Sequence, residues 1–187
     1  MIDFSDLKKL TIGGVELKQL FINGVQVWKA ISFTNLVPLS TDTDGTIYNG
    51  TGYKDNVRLS SSGGISSSAQ NGSTTTGFIP FGGDTDIIRL KGVEWIYAKT
   101  NYTGHYYFNF YDSNKKFLTY ISSQAIEDLS HIITGVRDEN GIETFDFNES
   151  YGTTNSTLQL IRQASYIRIT AYGKGADMIV TINEEIA

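Results

Sequence analysis

Short alternating segments separated by turn residues run through the chain from residue 33 onward, and this pattern limits the fold more than any other feature. In "YYFNFYD", Phe108 and Phe110 fall on one face of a strand, while Tyr107 and Asn109 fall on the other. The segment "SYIRIT" alternates in the same way, and only two prolines interrupt the 187 residues. Many short strands with little helix predict an all-β fold, which we interpret as a jelly-roll-like β-sandwich.

Turn signals and one low-complexity stretch complete this picture of the sandwich. Residues 112–115 (DSNK) and 138–141 (DENG) are predicted to connect neighbouring strands. Trp95 alternates with its neighbours and is predicted to be a core residue, whereas residues 124–133 are the only helical candidate. Residues 60–77 are rich in Ser, Thr and Gly, which favours a flexible surface loop over a ligand-facing one.

The chain opens with two copies of a miniature hairpin motif, ten residues apart, in "LTIGGVELKQLFINGVQVWKA". Gly13-Gly14 and Asn23-Gly24 suit type I′ turns, so this stretch predicts three short strands in a meander. Such a ribbon is too small to be stable in isolation. We therefore divide the chain into residues 1–30, a β-hairpin repeat that serves as an adaptor or assembly segment, and residues 31–187, the sandwich.

Composition excludes several functional classes. Only 19% of the residues are charged and the net charge is −5, so a nucleic-acid binder with a basic face is not expected. No apolar run is long enough to span a membrane, and the first residues lack the pattern of a signal peptide. The absence of cysteine excludes disulfides and thiol chemistry.

No catalytic or metal-binding pattern stands out, so we expect neither an enzyme nor a cofactor. The only histidines, His105 and His131, belong to no zinc or triad motif, and no G-x-S-x-G elbow occurs. A glycosidase needs a pair of carboxylates, and two candidate pairs are present: Asp84 with Asp86, and Glu184 with Glu185. We interpret these acids as ordinary turn residues, which makes a depolymerising glycosidase the third hypothesis.

Aromatic residues are in excess, with 11 tyrosines, 10 phenylalanines and two tryptophans. A tyrosine with an apolar face and a polar tip suits a sugar ring when hydrogen-bonding side chains lie nearby. Residues 101–107 combine these types, so we predict a carbohydrate site formed by Asn101, Tyr102, His105 and Tyr107. The alternative is that these aromatic residues lie half-buried along a sheet, where aromatics are favoured anyway.

A family resemblance adds to this picture. The opening "LKKLTIGGVELKQLFINGVQVWKA" resembles a short repeat of minor structural and baseplate proteins of tailed phages and prophages of Gram-positive bacteria. The body resembles the module that often follows it, through "NLVPLSTDTDGTIYNGTGYKDNVRLSSSGG", "TGFIPFGGDTDIIRLKGVEW", "FYDSNKKFLTY" and "ASYIRITAYGKGADMIVTINEEI". The resemblance implies a jelly-roll sandwich similar to carbohydrate-binding modules, carried on a virion tail and made in the cytoplasm of the host bacterium.

The residues and the resemblance together lead to two further hypotheses. The leading one is a non-catalytic tail-associated protein that binds host cell-surface glycan, with other tail or baseplate proteins, or a second copy joined through residues 1–30, as partners. The alternative is a purely structural assembly module that binds no sugar. A sugar site needs exposed aromatic residues in a concavity, whereas a packing module would show a flat apolar patch.

Overall fold

A computed structural model describes eleven stretches of the chain: residues 10–12, 15–17, 19–22, 25–29, 33–40, 52–66, 71–82, 86–95, 107–122, 135–147 and 156–186. These stretches are mostly antiparallel β-strand, with one short α-helix, α1 (Ser156–Ile161), and a turn of 3-10 helix (Gly175–Asp177). Neither of these two helical segments has the length and apolar character needed to cross a membrane.

The strands of the described stretches are numbered in chain order. Their bounds are β1 (Leu10–Ile12), β2 (Val15–Leu17), β3 (Gln19–Ile22), β4 (Val25–Lys29), β5 (Tyr53–Asp55), β6 (Ser73–Thr76), β7 (Ile79–Pro80), β8 (Ile87–Lys91), β9 (Val93–Glu94), β10 (Tyr107–Tyr111), β11 (Phe117–Ser122), β12 (Gly135–Arg137), β13 (Glu143–Asp146), β14 (Tyr166–Gly173) and β15 (Ile179–Ile182).

Two antiparallel sheets make up the body of the molecule. The seven-stranded sheet has the order β11-β10-β14-β6-β5, and β7 and β9 also pair with the long strand β14. The four-stranded sheet has the order β12-β13-β8-β15. The predicted all-β, sandwich-like class is therefore confirmed, while the jelly-roll arrangement stays a prediction.

One apolar core joins the two sheets. The seven-stranded sheet contributes Phe108, Phe110, Ile167 and Ile169, and the four-stranded sheet contributes Ile88, Leu90, Phe145 and Val180. Trp95, which is 1% exposed, lies between them, with its ring 4.6 Å from that of Phe108 and 5.2 Å from that of Phe145. The prediction that Trp95 is a core residue is confirmed.

The opposite face of the seven-stranded sheet is also buried, although its residues are polar. Residues 57–66, which we name the cover loop, lie across it and bond to it. The Leu59 N–H donates to Thr170 Oγ1 at 3.0 Å, Asn109 Nδ2 donates to the Ser60 carbonyl at 2.9 Å, and the Tyr111 hydroxyl donates to the Gly63 carbonyl at 2.6 Å. This polar outer face is thus sealed from solvent over the centre of the sheet.

The prediction of a flexible surface loop at residues 60–77 is wrong for residues 73–76, which form the buried strand β6, whereas residues 60–66 are a loop in which Ser61, Ser62 and Gly64 are exposed. Residues 60–66 belong to the cover loop, and β6 lies inside the seven-stranded sheet between β14 and β5, with all four residues buried. Threonine is β-branched and suits a strand. Three of the four hydroxyls of this strand have partners: Ser73 Oγ donates to the Val57 carbonyl at 2.9 Å, Thr75 Oγ1 lies 2.8 Å from Thr170 Oγ1, and Thr76 Oγ1 accepts the Ile169 N–H at 3.0 Å. The buried Thr74 hydroxyl has none among the described residues.

Both predicted hairpin turns are confirmed, and they share one geometry. Asp112 Oδ1 accepts the N–H groups of Asn114 and Lys116 in the β10–β11 turn. Asp138 Oδ1 accepts the N–H groups two and four residues further on in the β12–β13 turn, at 2.9 and 2.8 Å. Each turn has a residue of positive φ at its fourth position, Lys115 at 61° and Gly141 at 74°, as expected for a type I turn followed by a bulge.

The remaining predictions of secondary structure have mixed outcomes. The helical candidate at residues 124–133 lies outside the described residues, and sequence reasoning did not anticipate α1. The N-terminal repeat forms two hairpins, β1 with β2 and β3 with β4, each a separate two-stranded sheet. The predicted three-stranded meander is therefore wrong, because four strands pair only within each copy of the motif.

Candidate functional site

Of the four residues predicted to bind carbohydrate, the structure describes one. Asn101, Tyr102 and His105 lie outside the described residues. Tyr107 begins β10 and is only 9% exposed, and its ring packs edge-on against that of Tyr120 at 5.6 Å. Tyr107 therefore offers little surface of its own for stacking.

The phenol of Tyr107 is held in its neutral form. Burial raises its pKa above the ordinary value of 10.0, the nearby Arg58 guanidinium lowers it, and the neighbouring phenol of Tyr120 raises it further. Burial is the largest of these influences, because removing water disfavours the phenolate more than one partly buried cation favours it.

The strand register connects Tyr107 to a more exposed tyrosine. Tyr107 pairs with Thr170 of β14, and Tyr172 comes two residues later on the same face of the strand. Tyr172 in turn pairs with Glu94 of β9. Because directly paired residues share a face, Tyr107, Tyr172 and Glu94 belong to the same outer face of the seven-stranded sheet. Tyr172 is 40% exposed, so this face reaches solvent at that end.

An open cleft of about 490 Å³ lies at that exposed end of the sheet. It lies where the β8–β9 junction, the β12–β13 turn and the end of β14 meet. The side chains that line it with polar or aromatic groups are Lys91, Glu94, Arg137, Asn140 and Tyr172. We name this site the cleft and define it by these five residues.

Tyr172 is seated in the cleft by a glycine on the neighbouring segment. Gly72 has a φ of 82°, and a Cβ placed there would lie 2.7 Å from Cε2 of Tyr172. Only a residue without a side chain allows both this backbone conformation and this close approach. The ring of Tyr172 consequently lies against Gly72, and the residue as a whole is 40% exposed.

A buried carboxylate positions Arg137 at the wall of the cleft. Glu143 is 0% exposed, and its two oxygens accept the Trp95 N–H at 2.9 Å and Arg137 Nη1 at 3.1 Å. The same Nη1 lies 3.4 Å from Oε1 of Glu94, whose side chain is 40% exposed. A charged hydrogen bond to a buried acceptor is stronger than a surface ion pair, so Glu143 is the residue that positions the guanidinium.

The β12–β13 turn supplies the amide of the cleft. The hydrogen bonds that Asp138 Oδ1 accepts from the backbone hold the turn around Asn140, whose side chain is exposed. Glu94, Arg137 and Asn140 therefore provide carboxylate oxygens, guanidinium N–H groups and an amide beside the ring of Tyr172. Such a set can bind hydroxyl groups through both donors and acceptors.

The carboxylates considered for a glycosidase pair bind backbone N–H groups and neighbouring side chains instead, where the structure describes them. Asp84 lies outside the described residues. Asp86 is 7% exposed and accepts hydrogen bonds from Asn183 Nδ2, at 2.7 Å, and from the Gly82 N–H. Glu184 accepts the Thr34 N–H at 2.6 Å, and Glu185 pairs with Arg89 at 2.5 Å.

Within the described stretches no three His, Cys, Asp or Glu side chains come together in a way that could hold a metal ion. Sequence reasoning did not identify Glu94, Arg137 or Tyr172 as site residues. The signals in the sequence are weak: Tyr172 continues the alternation of "SYIRITAY", and Asn140 belongs to a predicted turn. Nothing local in the sequence shows that these segments meet.

Comparisons of the chain with known protein families, with curated protein sequences and with solved structures find no match.

Proposed function

We propose that this chain is a non-catalytic, tail-associated protein of a phage or prophage that binds host cell-surface carbohydrate through the cleft. The observation that carries the proposal is Tyr172, an exposed aromatic ring in a concave site among hydrogen-bonding side chains. This is the arrangement expected of a sugar site rather than of a flat packing surface.

The chemistry of the cleft fits a sugar ring. The apolar face of a pyranose stacks on a tyrosine ring, while its hydroxyls need donors and acceptors around the rim. Glu94, Arg137 and Asn140, which line the cleft together with Tyr172, supply both kinds of group.

The N-terminal hairpins support the assembly part of the proposal. Among the described residues, each hairpin is a two-stranded sheet that no further strand joins, and an isolated hairpin is marginally stable in water. We propose that residues 1–30 pair with a neighbouring tail or baseplate protein, or with a second copy of the chain. A purely structural assembly role is the second candidate function, and these hairpins are the observation that favours it.

A glycan array with the full chain in multivalent display tests the sugar hypothesis, because linking several copies raises apparent binding by roughly 10²–10⁴. We expect Tyr172→Ala to weaken glycan binding by about 1–3 kcal/mol, roughly 5- to 150-fold, through loss of the stacked ring. Tyr172→Phe keeps the ring and should retain most of the binding. Unchanged binding in Tyr172→Ala would remove the cleft from the proposal.

The two matching hairpin turns provide a control for stability. Asp112→Ala and Asp138→Ala remove the same pair of turn hydrogen bonds, at a cost of about 1 kcal/mol for each bond lost. Only the turn at Asp138 lines the cleft, so only Asp138→Ala should weaken glycan binding. If the wild-type chain binds no glycan, the assembly role would be the only candidate function that stands.

A further inference from the structure

The three charged side chains that line the cleft and the one buried behind its wall together carry no net charge, and this balance bears on the class of ligand. Two cations, Lys91 and Arg137, line it, as does the carboxylate of Glu94. The buried carboxylate of Glu143, behind the wall, is the second anion. From this balance, and resting on the proposed function, we infer that the cleft selects neutral glycans and discriminates against glycans that carry carboxylate, sulfate or phosphate groups.

Arg137 is already committed to a carboxylate of the protein. Its guanidinium bonds to Glu143, which is fully buried and so cannot turn toward water if the partner is withdrawn. An anionic ligand that pulled Arg137 into the cleft would leave a buried charge without its cation, which is strongly unfavourable. A neutral hydroxyl needs only one hydrogen bond, which the guanidinium can donate while it keeps Glu143. An anion that leaves Arg137 in place gains little, because Glu143 and Glu94 already neutralise the guanidinium.

Glu94 acts against anions more directly. Its side chain is 40% exposed and reaches the same Nη1 atom of Arg137, at 3.4 Å. A ligand carboxylate approaching that atom would meet a like charge at short range, whereas a sugar hydroxyl would donate a hydrogen bond to Glu94. Lys91 is the remaining cation, and the negative charge of Glu94 offsets it.

Two properties of binding test this inference: the preference for neutral over acidic glycans, and the dependence of binding on salt concentration. Both are measured with the full chain in multivalent display. The probes are arrayed neutral oligosaccharides and uronic-acid, sulfated and phosphorylated oligosaccharides, each applied at about 50 mM and about 500 mM NaCl. We expect the strongest signals from neutral glycans, with less than about a twofold change between the two salt concentrations, because no ligand charge is present to be screened.

Glu94→Gln is the informative variant, because it removes the charge and keeps the size and an acceptor oxygen. We expect it to raise binding of acidic glycans by about tenfold relative to neutral ones, with an unchanged melting temperature because Glu94 is partly exposed. The matched control is Glu185→Gln, which removes an exposed carboxylate paired with Arg89 outside the cleft lining.

Wild-type binding to acidic glycans that falls steeply with salt would overturn the inference and leave the proposed function standing. An unchanged ratio of acidic to neutral binding in Glu94→Gln would also overturn it. No binding to any glycan, with Tyr172→Ala indistinguishable from wild type, would overturn the proposed function and this inference together.

Discussion

At the centre of the seven-stranded sheet, the two faces are equally buried but chemically opposite. On the inner face, Phe108 and Ile169 are 0% exposed and pack against the four-stranded sheet. On the outer face, Asn109, Arg168 and Thr170 are also 0% exposed, beneath the cover loop. Burial alone therefore does not tell which interactions stabilise each face.

The difference shows in how each face tolerates change. The inner face depends on apolar area, for which the contribution of a side chain scales with its size. The outer face depends on hydrogen bonds between buried polar groups, as in the bond from Arg168 Nε to the Thr76 carbonyl at 3.1 Å. Removing one partner there leaves the other desolvated and unsatisfied. Three predictions use this contrast.

The largest effect is expected on the inner face. Phe108→Ala removes a ring that contacts Trp95 and Phe145 across the core, so we expect the free energy of unfolding to fall by about 3–5 kcal/mol. Urea denaturation measures this loss. The control is Val136→Ala at a position 61% exposed on an edge strand, where a change within about 0.5 kcal/mol is expected. Equal losses in the two variants would contradict an inner face held by apolar burial.

On the outer face, Thr170→Val keeps the side-chain volume but removes the hydroxyl that binds the Leu59 N–H and Thr75. We expect a loss of about 1–3 kcal/mol in urea denaturation, because a buried N–H loses its acceptor. Ile169→Val, the adjacent residue on the inner face, should lose about 0.5–1.5 kcal/mol by deletion of one methylene. A neutral Thr170→Val would show that the cover loop does not depend on this bond.

The smallest effect depends on pH. Burial raises the pKa of Tyr107 above 10.0 in the folded chain, so the unfolded chain releases this proton first as the pH rises. The stability contributed by the protonated phenol is complete below about pH 10 and is lost as the pH passes through the folded pKa. Urea denaturation from pH 9 to 11 should therefore show a shallower decline in Tyr107→Phe than in wild type. Parallel declines would argue against a perturbed phenol.

Local patterns predicted the strands well because side-chain alternation is a property of neighbouring residues. The prediction that Phe108 and Asn109 lie on opposite faces of β10 is confirmed, and the same holds for Ile169 and Thr170 in β14. What alternation could not predict is the burial of the polar side. A run such as "STTT" has the same composition as an exposed loop, and only its pairing with β14 and β5 makes β6 an interior strand.

The candidate site was less accessible to sequence reasoning. The prediction centred on residues 101–107, of which only Tyr107 lies in the described part, and there it is buried. The cleft instead combines Glu94, Arg137 and Tyr172 from three separate strands. No periodicity relates these residues, because they become neighbours only when β9 pairs with β14 and Arg137 bonds to Glu143.

The strand-rich class, the apolar side of each principal strand and the two Asp-x-Asn turns were predictable from the amino-acid sequence, since these features depend on contacts within a few residues. Tertiary structure decided which polar face is sealed and where a cleft opens. The bond from Leu59 to Thr170 spans 111 residues and that from Trp95 to Glu143 spans 48. A polar side chain at such a position is buried with a partner or exposed to water according to which distant segment packs over it. The composition of the neighbouring residues does not predict which segment that is.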